Sequence, residues 1–345
     1  MNDRFLRACR LLPVDTTPVW FMRQAGRYLP QYRKIREKHD IVTIYKTPEL
    51  CSEVTVQPVE VLGVDAAIMF ADIVLPLEGM GVRFQIKEGV GPVIEEPIRM
   101  LGGAQVLEDF DTKTDAPFIL EAIELTKRRL DDRVPLIGFC GGPFTLASYL
   151  IEGGPARDFI HTKKLMYNDS RTWELLMDKL SAAMTNYLRA QIQAGVDAIQ
   201  LFDSWIGFLS PQDYRRYVLS YSQQIFRKLE GLGVPRIHFA RGASNLLEEM
   251  KLAGGDVFSV DWTIPIDVAW QRLGYDVGMQ GNLDPAVLLA DIHLIKSEAA
   301  DILKRVGRRA GHVFNLGHGI LPQTSPEKVK ELVKFVHGFN ENHLR

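Results

Sequence analysis

Short apolar runs alternate with longer amphipathic segments along this chain. Eight runs read as strands: residues 19–22, 66–70, 136–140, 198–202, 237–240, 257–260, 277–280 and 313–316. Between them lie helical stretches such as 171–194, where Leu175, Leu176, Leu180, Met184, Leu188 and Ile192 recur near the helical period. Several helix starts pair a capping side chain with proline at the first helical position: Thr47-Pro48, Ser210-Pro211, Asp284-Pro285 and Ser325-Pro326. Strand and helix in regular alternation predict a parallel α/β fold.

One segment breaks the rhythm. Residues 82–94 alternate polar and apolar positions around Glu88-Gly89, which predicts a β-hairpin. There is no internal repeat, low-complexity tract or linker to divide the chain. The expectation is a single (β/α)8 TIM-type barrel, one catalytic domain over residues 1–345 with an early hairpin insertion, and a doubly wound open sheet is the alternative.

A barrel carries its site where strands end and loops begin. The residues at those positions are Arg23, Asp72, the turn Gly141-Gly142-Pro143, Asp203-Ser204, Arg241, Asp261, Asn282 and His318. Arginine, carboxylate and histidine recur there more than plain turn residues would require.

Composition narrows the partner. The chain has 345 residues, 46% hydrophobic and 24% charged, with net charge −2. That balance describes an ordinary globular protein and argues against general binding to nucleic acid or a membrane surface. Against this background, residues 18–36 hold Arg23, Arg27, Arg33, Lys34 and Arg36 with no acid among them. If that stretch is helical, Arg23 and Arg27 share a face and offer two guanidinium forks to one ligand bearing several carboxylates. Cys9, Cys51 and Cys140 are far apart, without a CxxC pair, which fits a reducing cytoplasmic setting. The N-terminus lacks an apolar core of signal-peptide length, and no membrane-length run occurs.

Six motifs in order, PVWFMRQAGRYLPQYR (18–33), DAAIMFADI (65–73), GFCGGPFTLASYLIEGG (138–154), QLFDSW (200–205), QGNLDP (280–285) and FNLGHGILP (314–322), resemble the uroporphyrinogen decarboxylase family across essentially the whole chain. The resemblance implies a cytosolic, homodimeric (β/α)8 lyase of haem and tetrapyrrole biosynthesis. Such an enzyme converts the four acetates of uroporphyrinogen III to methyl groups, giving coproporphyrinogen III and four CO2, without metal or organic cofactor.

The same resemblance places the pyrrole-binding carboxylate at Asp72 and the carboxylate clamps at Arg23, Arg27 and Arg36. It gives Tyr149, Ser204 and His318 hydrogen bonds to substrate, and Phe21 and Phe139 the apolar wall. Asp72, Arg23, Tyr149 and His318 form the catalytic set; the proton donor is one of Arg23, Tyr149, His318 or a water. A corrinoid- and zinc-dependent methyltransferase of the same superfamily is the nearest alternative enzyme, but its His-x-Cys element meets His238-Phe239-Ala240 here. A tetrapyrrole carrier is the alternative outside enzymes.

Overall fold

The computed structural model describes residues 2–87 and 89–339. Glu88, in the expected hairpin turn, lies outside the described residues. Strand β1 (Ala67–Ile68) is followed by β2 (Phe84–Lys87) and β3 (Gly91–Ile94), which pair antiparallel as the expected hairpin. Next come β4 (Leu136–Gly141), β5 (Ala198–Phe202), β6 (Arg236–Phe239), β7 (Val257–Ser259), β8 (Gly278–Leu283) and β9 (His312–Leu316). Strands β1 and β4 to β9 form one curled sheet, parallel throughout, in chain order.

The eighth stave differs from its expectation. Residues 18–22 form one parallel bridge, Val19 to Phe314, rather than a strand. Around it, the Phe314 N–H donates to the Pro18 carbonyl at 2.8 Å and the Trp20 N–H to the Phe314 carbonyl at 3.3 Å. On the opposite side the Asp65 N–H donates to the Val19 carbonyl, and the Val19 N–H donates to Asp65 Oδ2, both at 2.7 Å. A side chain thus replaces a rung of the ladder, so the segment closes the barrel without the register of a strand.

Asp65 does more than close this gap. Its buried carboxylate also accepts from Asn2 Nδ2 (2.9 Å) and Arg4 Nη1 (3.1 Å) and meets His337 Nε2 at 2.7 Å. Four partners, Val19, Asn2, Arg4 and His337, meet here one requirement, that a buried carboxylate be fully partnered. Inside the barrel, Trp20 Nε1 donates to Gln280 Oε1, and Gln280 Nε2 donates to Gln200 Oε1 and Ser259 Oγ, at 2.9 to 3.0 Å.

The helix starts follow the capping rules in part. Ser210 and Ser325 accept from the N–H groups three residues on, whereas Thr47 makes no side-chain cap and Asp284-Pro285 opens a 3₁₀ turn, Pro285–Leu289, instead of an α-helix. The long helix Ser170–Ala194 buries Leu176, Leu180, Met184 and Leu188 against β4 and its neighbours. All three cysteines are free and buried. Among the described residues no helix is long and apolar enough to cross a membrane.

Candidate active site

The first arginine motif is an arch rather than a helix. Residues 22–29 run through successive turns, and the helix begins only at Pro30. Gln24, buried inside the arch, accepts from the Phe21 N–H (3.1 Å) and donates to the Ala66 carbonyl (3.0 Å), fastening the arch to the entrance of β1. The Tyr28 hydroxyl donates to the Gln24 carbonyl at 2.7 Å, and Arg33 Nη1 to the Arg27 and Tyr28 carbonyls at 3.0 Å each. Arg33 is therefore a brace. The shared helical face expected for Arg23 and Arg27 does not form, because proline and glycine confine the helix to Pro30–Arg36; both arginines are exposed on the arch instead. Arg23 holds φ +58°, a conformation costly for a residue with a Cβ. Gly319, from the loop after β9, packs on its stem: a Cβ there would lie 2.6 Å from Arg23 Cγ.

Asp72 follows β1 and is half-buried. Its Oδ1 accepts from the Val74 N–H at 3.1 Å. Burial pushes its carboxyl above the usual range, opposed by the Val74 and Ile73 N–H groups and by the Arg23 charge. Tyr149, on the helix Pro143–Glu152 after β4, is raised by burial and then by Asp72, with Arg23 opposing. Burial holds His318 down at about 3, with Arg23 and Arg241 adding to the effect, so its imidazole is neutral. Arg23 is the common neighbour of Asp72, Tyr149 and His318.

The walls are aromatic. Phe139 meets Phe202 edge to face at 5.4 Å, Phe202 meets Phe239 at 5.5 Å, and Phe239 reaches His318 at 6.1 Å, an arc from β4 across to the loop after β9. Phe21, ahead of the arch, is wholly buried, as Phe239 of this arc is. Ser204 is half-buried at the end of β5, beside Trp205, whose ring lies 4.1 Å from that of Tyr149. Arg36 turns back on its own helix end, Nη1 donating to the His39 carbonyl at 2.7 Å.

Three features went unassigned in the sequence. Asp203 reads in the sequence as a strand end, and in the structure it is fully buried with its carboxyl pushed up by burial to about 7. Trp205, inside QLFDSW, stacks on Tyr149. Arg241 stands over Trp262, its guanidinium carbon 5.8 Å from the ring centre; adjacency of strand ends, which only the closed sheet shows, was the missing signal. His238 is packed between Phe226 and Phe258, and burial lowers it to about 4. Burial likewise raises the Cys140 thiol, which is an inert environment for metal ligation. Among the described residues no three His, Cys, Asp or Glu side chains group as a metal site.

The family model described as "Uroporphyrinogen decarboxylase (URO-D)" matches residues 1–339. A uroporphyrinogen decarboxylase from Sorangium cellulosum is 52% identical over 345 residues, covering 100% of this chain and 99% of that protein. One from Carboxydothermus hydrogenoformans is 50% identical over 337 residues, covering 98% and 96%. Among solved structures, a methyltransferase from Methanosarcina mazei superposes with a TM-score of 0.79 over 97% of each chain at 22% identity, which shows a shared fold. With family match and high identity both running the length of the chain, this protein belongs to the uroporphyrinogen decarboxylase family.

Proposed function

We propose that the chain decarboxylates the four acetates of uroporphyrinogen III at the barrel mouth, with Asp72 as the anion beneath the macrocycle and Arg23 and Arg27 as carboxylate clamps. The observation that carries this assignment is the grouping of Asp72, Tyr149 and neutral His318 around one guanidinium, that of Arg23.

Losing CO2 from an acetate leaves an electron pair that needs a sink. The pyrrole itself supplies one: a proton added to the ring carbon beside the acetate creates an iminium-like cation. The C–C bond then breaks, its pair neutralises the cation, and CO2 leaves. Protonation of the resulting exocyclic methylene and return of the ring proton give the methyl group, so each acetate takes up one proton net. No metal or organic cofactor enters this sequence.

Asp72 accepts hydrogen bonds from pyrrole N–H groups and stabilises the ring cation as it develops, more strongly than it stabilises the neutral ground state. Its partly desolvated setting magnifies that difference. Tyr149 and His318 are both uncharged at working pH and serve as hydrogen-bond donors to substrate. Arg23 and Arg27 bind carboxylates through two parallel hydrogen bonds, a geometry lysine lacks.

Asp72→Asn tests the assignment. Anaerobic turnover of uroporphyrinogen, with products separated by carboxylate number, should fall about a hundredfold or more, while affinity changes far less. Turnover within a few-fold of the parent would remove Asp72 from the mechanism.

A further inference from the structure

We infer that Arg241, laid over the face of Trp262, is an additional binding residue for a side-chain carboxylate of the tetrapyrrole. The inference rests on the mouth site proposed above and extends it to strands β6 and β7.

Arg241 follows the end of β6 and is exposed. Its guanidinium makes no ion pair or hydrogen bond among the described residues; its partner is the Trp262 ring. Most arginines of this chain are engaged with carboxylates or carbonyls, as Arg236 is with Asp256 and Arg272 with Glu248. A guanidinium stacked on an aromatic face keeps its N–H edge free for a planar anion. The stack costs it none of its donors.

The backbone beneath is fixed from three sides. Gly207, in the turn after β5, packs so close that a Cβ there would lie 2.6 Å from the Gly242 carbonyl carbon. The Gly242 N–H donates to Asp261 Oδ2, at the end of β7. Trp262 is held in turn by the loop after β9: a Cβ at Gly317 would lie 2.7 Å from both the Trp262 amide nitrogen and ring atom Cε3. Gly317 directly precedes His318. A rigid connection therefore runs from Arg241 through Trp262 to the loop bearing the pocket histidine, and Arg241 contributes with Arg23 to keeping that histidine neutral. Two guanidinium groups act on one neutral imidazole at the mouth, where Asp72 is the carboxylate that acts with Arg23 and none forms an ion pair with Arg241 among the described residues. A substrate with eight carboxylates can supply the anion that Arg241 lacks.

The test is Arg241→Gln beside Arg241→Lys and Asp72→Asn, assayed anaerobically with uroporphyrinogen and with coproporphyrinogen as competing product. Arg241→Gln should raise KM about tenfold, the loss carried by KM more than by kcat, with unchanged thermal unfolding. Arg241→Lys should recover part of it, and added salt should raise the parent's KM more than the variant's. If the bound group is a propionate, coproporphyrinogen inhibition weakens too; if it is an acetate, only uroporphyrinogen binding weakens. Either pattern supports the inference. A KM and salt response equal to the parent's, in a preparation where Asp72→Asn is inactive, overturns the role of Arg241 alone. An active Asp72→Asn overturns the mouth site and this inference with it.

Discussion

Replacing Asp203 by asparagine should make this protein more stable at alkaline pH while leaving it little changed in mild acid. Asp203 ends β5 fully buried; Thr145 Oγ1 donates to its Oδ1 at 2.9 Å, and its Oδ2 has no partner among the described residues. Gly142 presses from below, where a Cβ would lie 2.5 Å from Oδ1, so water has little room to solvate that side. Burial accordingly pushes the carboxyl from 3.8 to about 7. A carboxyl raised in the folded state contributes stability that is complete below its unfolded value, and that contribution is lost as pH rises through about 7. Over that interval the penalty grows by ~1.4 kcal/mol per pH unit, to ~4 kcal/mol above both values. Asparagine has the shape of the carboxyl and never ionises. Urea unfolding of parent and Asp203→Asn from about pH 5 to pH 8 gives the stability difference directly, and other titrating groups cancel in the comparison. From pH 5 to pH 8 the difference should move by ~3 kcal/mol in the variant's favour, because about two of the pH units over which the penalty grows lie in that window. A difference that stays flat across the range would refute the reasoning, and would mean that Asp203 is either solvated or paired.

Two further substitutions probe the arch. Gly319→Ala should displace the Arg23 stem, whose Cβ and Cγ would lie 3.0 and 2.6 Å from the new methyl, and lower kcat/KM about tenfold or more without unfolding the protein; parent-like kinetics would show that Arg23 has slack. Arg27→Ala should weaken uroporphyrinogen binding and turnover together by about tenfold, since a substrate carboxylate loses its partner, and steady-state kinetics beside the parent would expose an indifferent Arg27.

The strands were legible because parallel barrel strands are apolar and short, and the helices because their period persists. β5 matches its expected bounds, and the helix expected at 171–194 begins one residue earlier, at Ser170. The stave at 18–22 was legible only as an apolar run: nothing local says that the Asp65 side chain will take the place of a ladder bond. The reading of Arg23 and Arg27 as helical neighbours failed for a reason visible in hindsight, because Gly26 and Pro30 favour turns and a helix start. Asp72, Tyr149 and His318 could be named through motifs, but their common relation to Arg23 depends on strands β1, β4 and β9 meeting that arch in space. Arg241 was visible as a strand end, and its significance depended on Trp262 from the next strand.

The seam around Asp65 has a consequence for the making of the protein. Val19 closes against Phe314, and Asp65 gathers Asn2, Arg4 and His337, so the earliest and latest parts of the chain meet at one place. A ribosome emits the N-terminal stave long before β9 exists, and contacts of such high sequence separation form late. The nascent chain must therefore carry an open edge at residues 18–22 until β9 has been made, a surface suited to chaperone attention or to mispairing. Arg23 lies on one side of that seam and His318 on the other. The pocket cannot exist before β9 and the loop after it have been made, and their arrival is what first brings its two halves together.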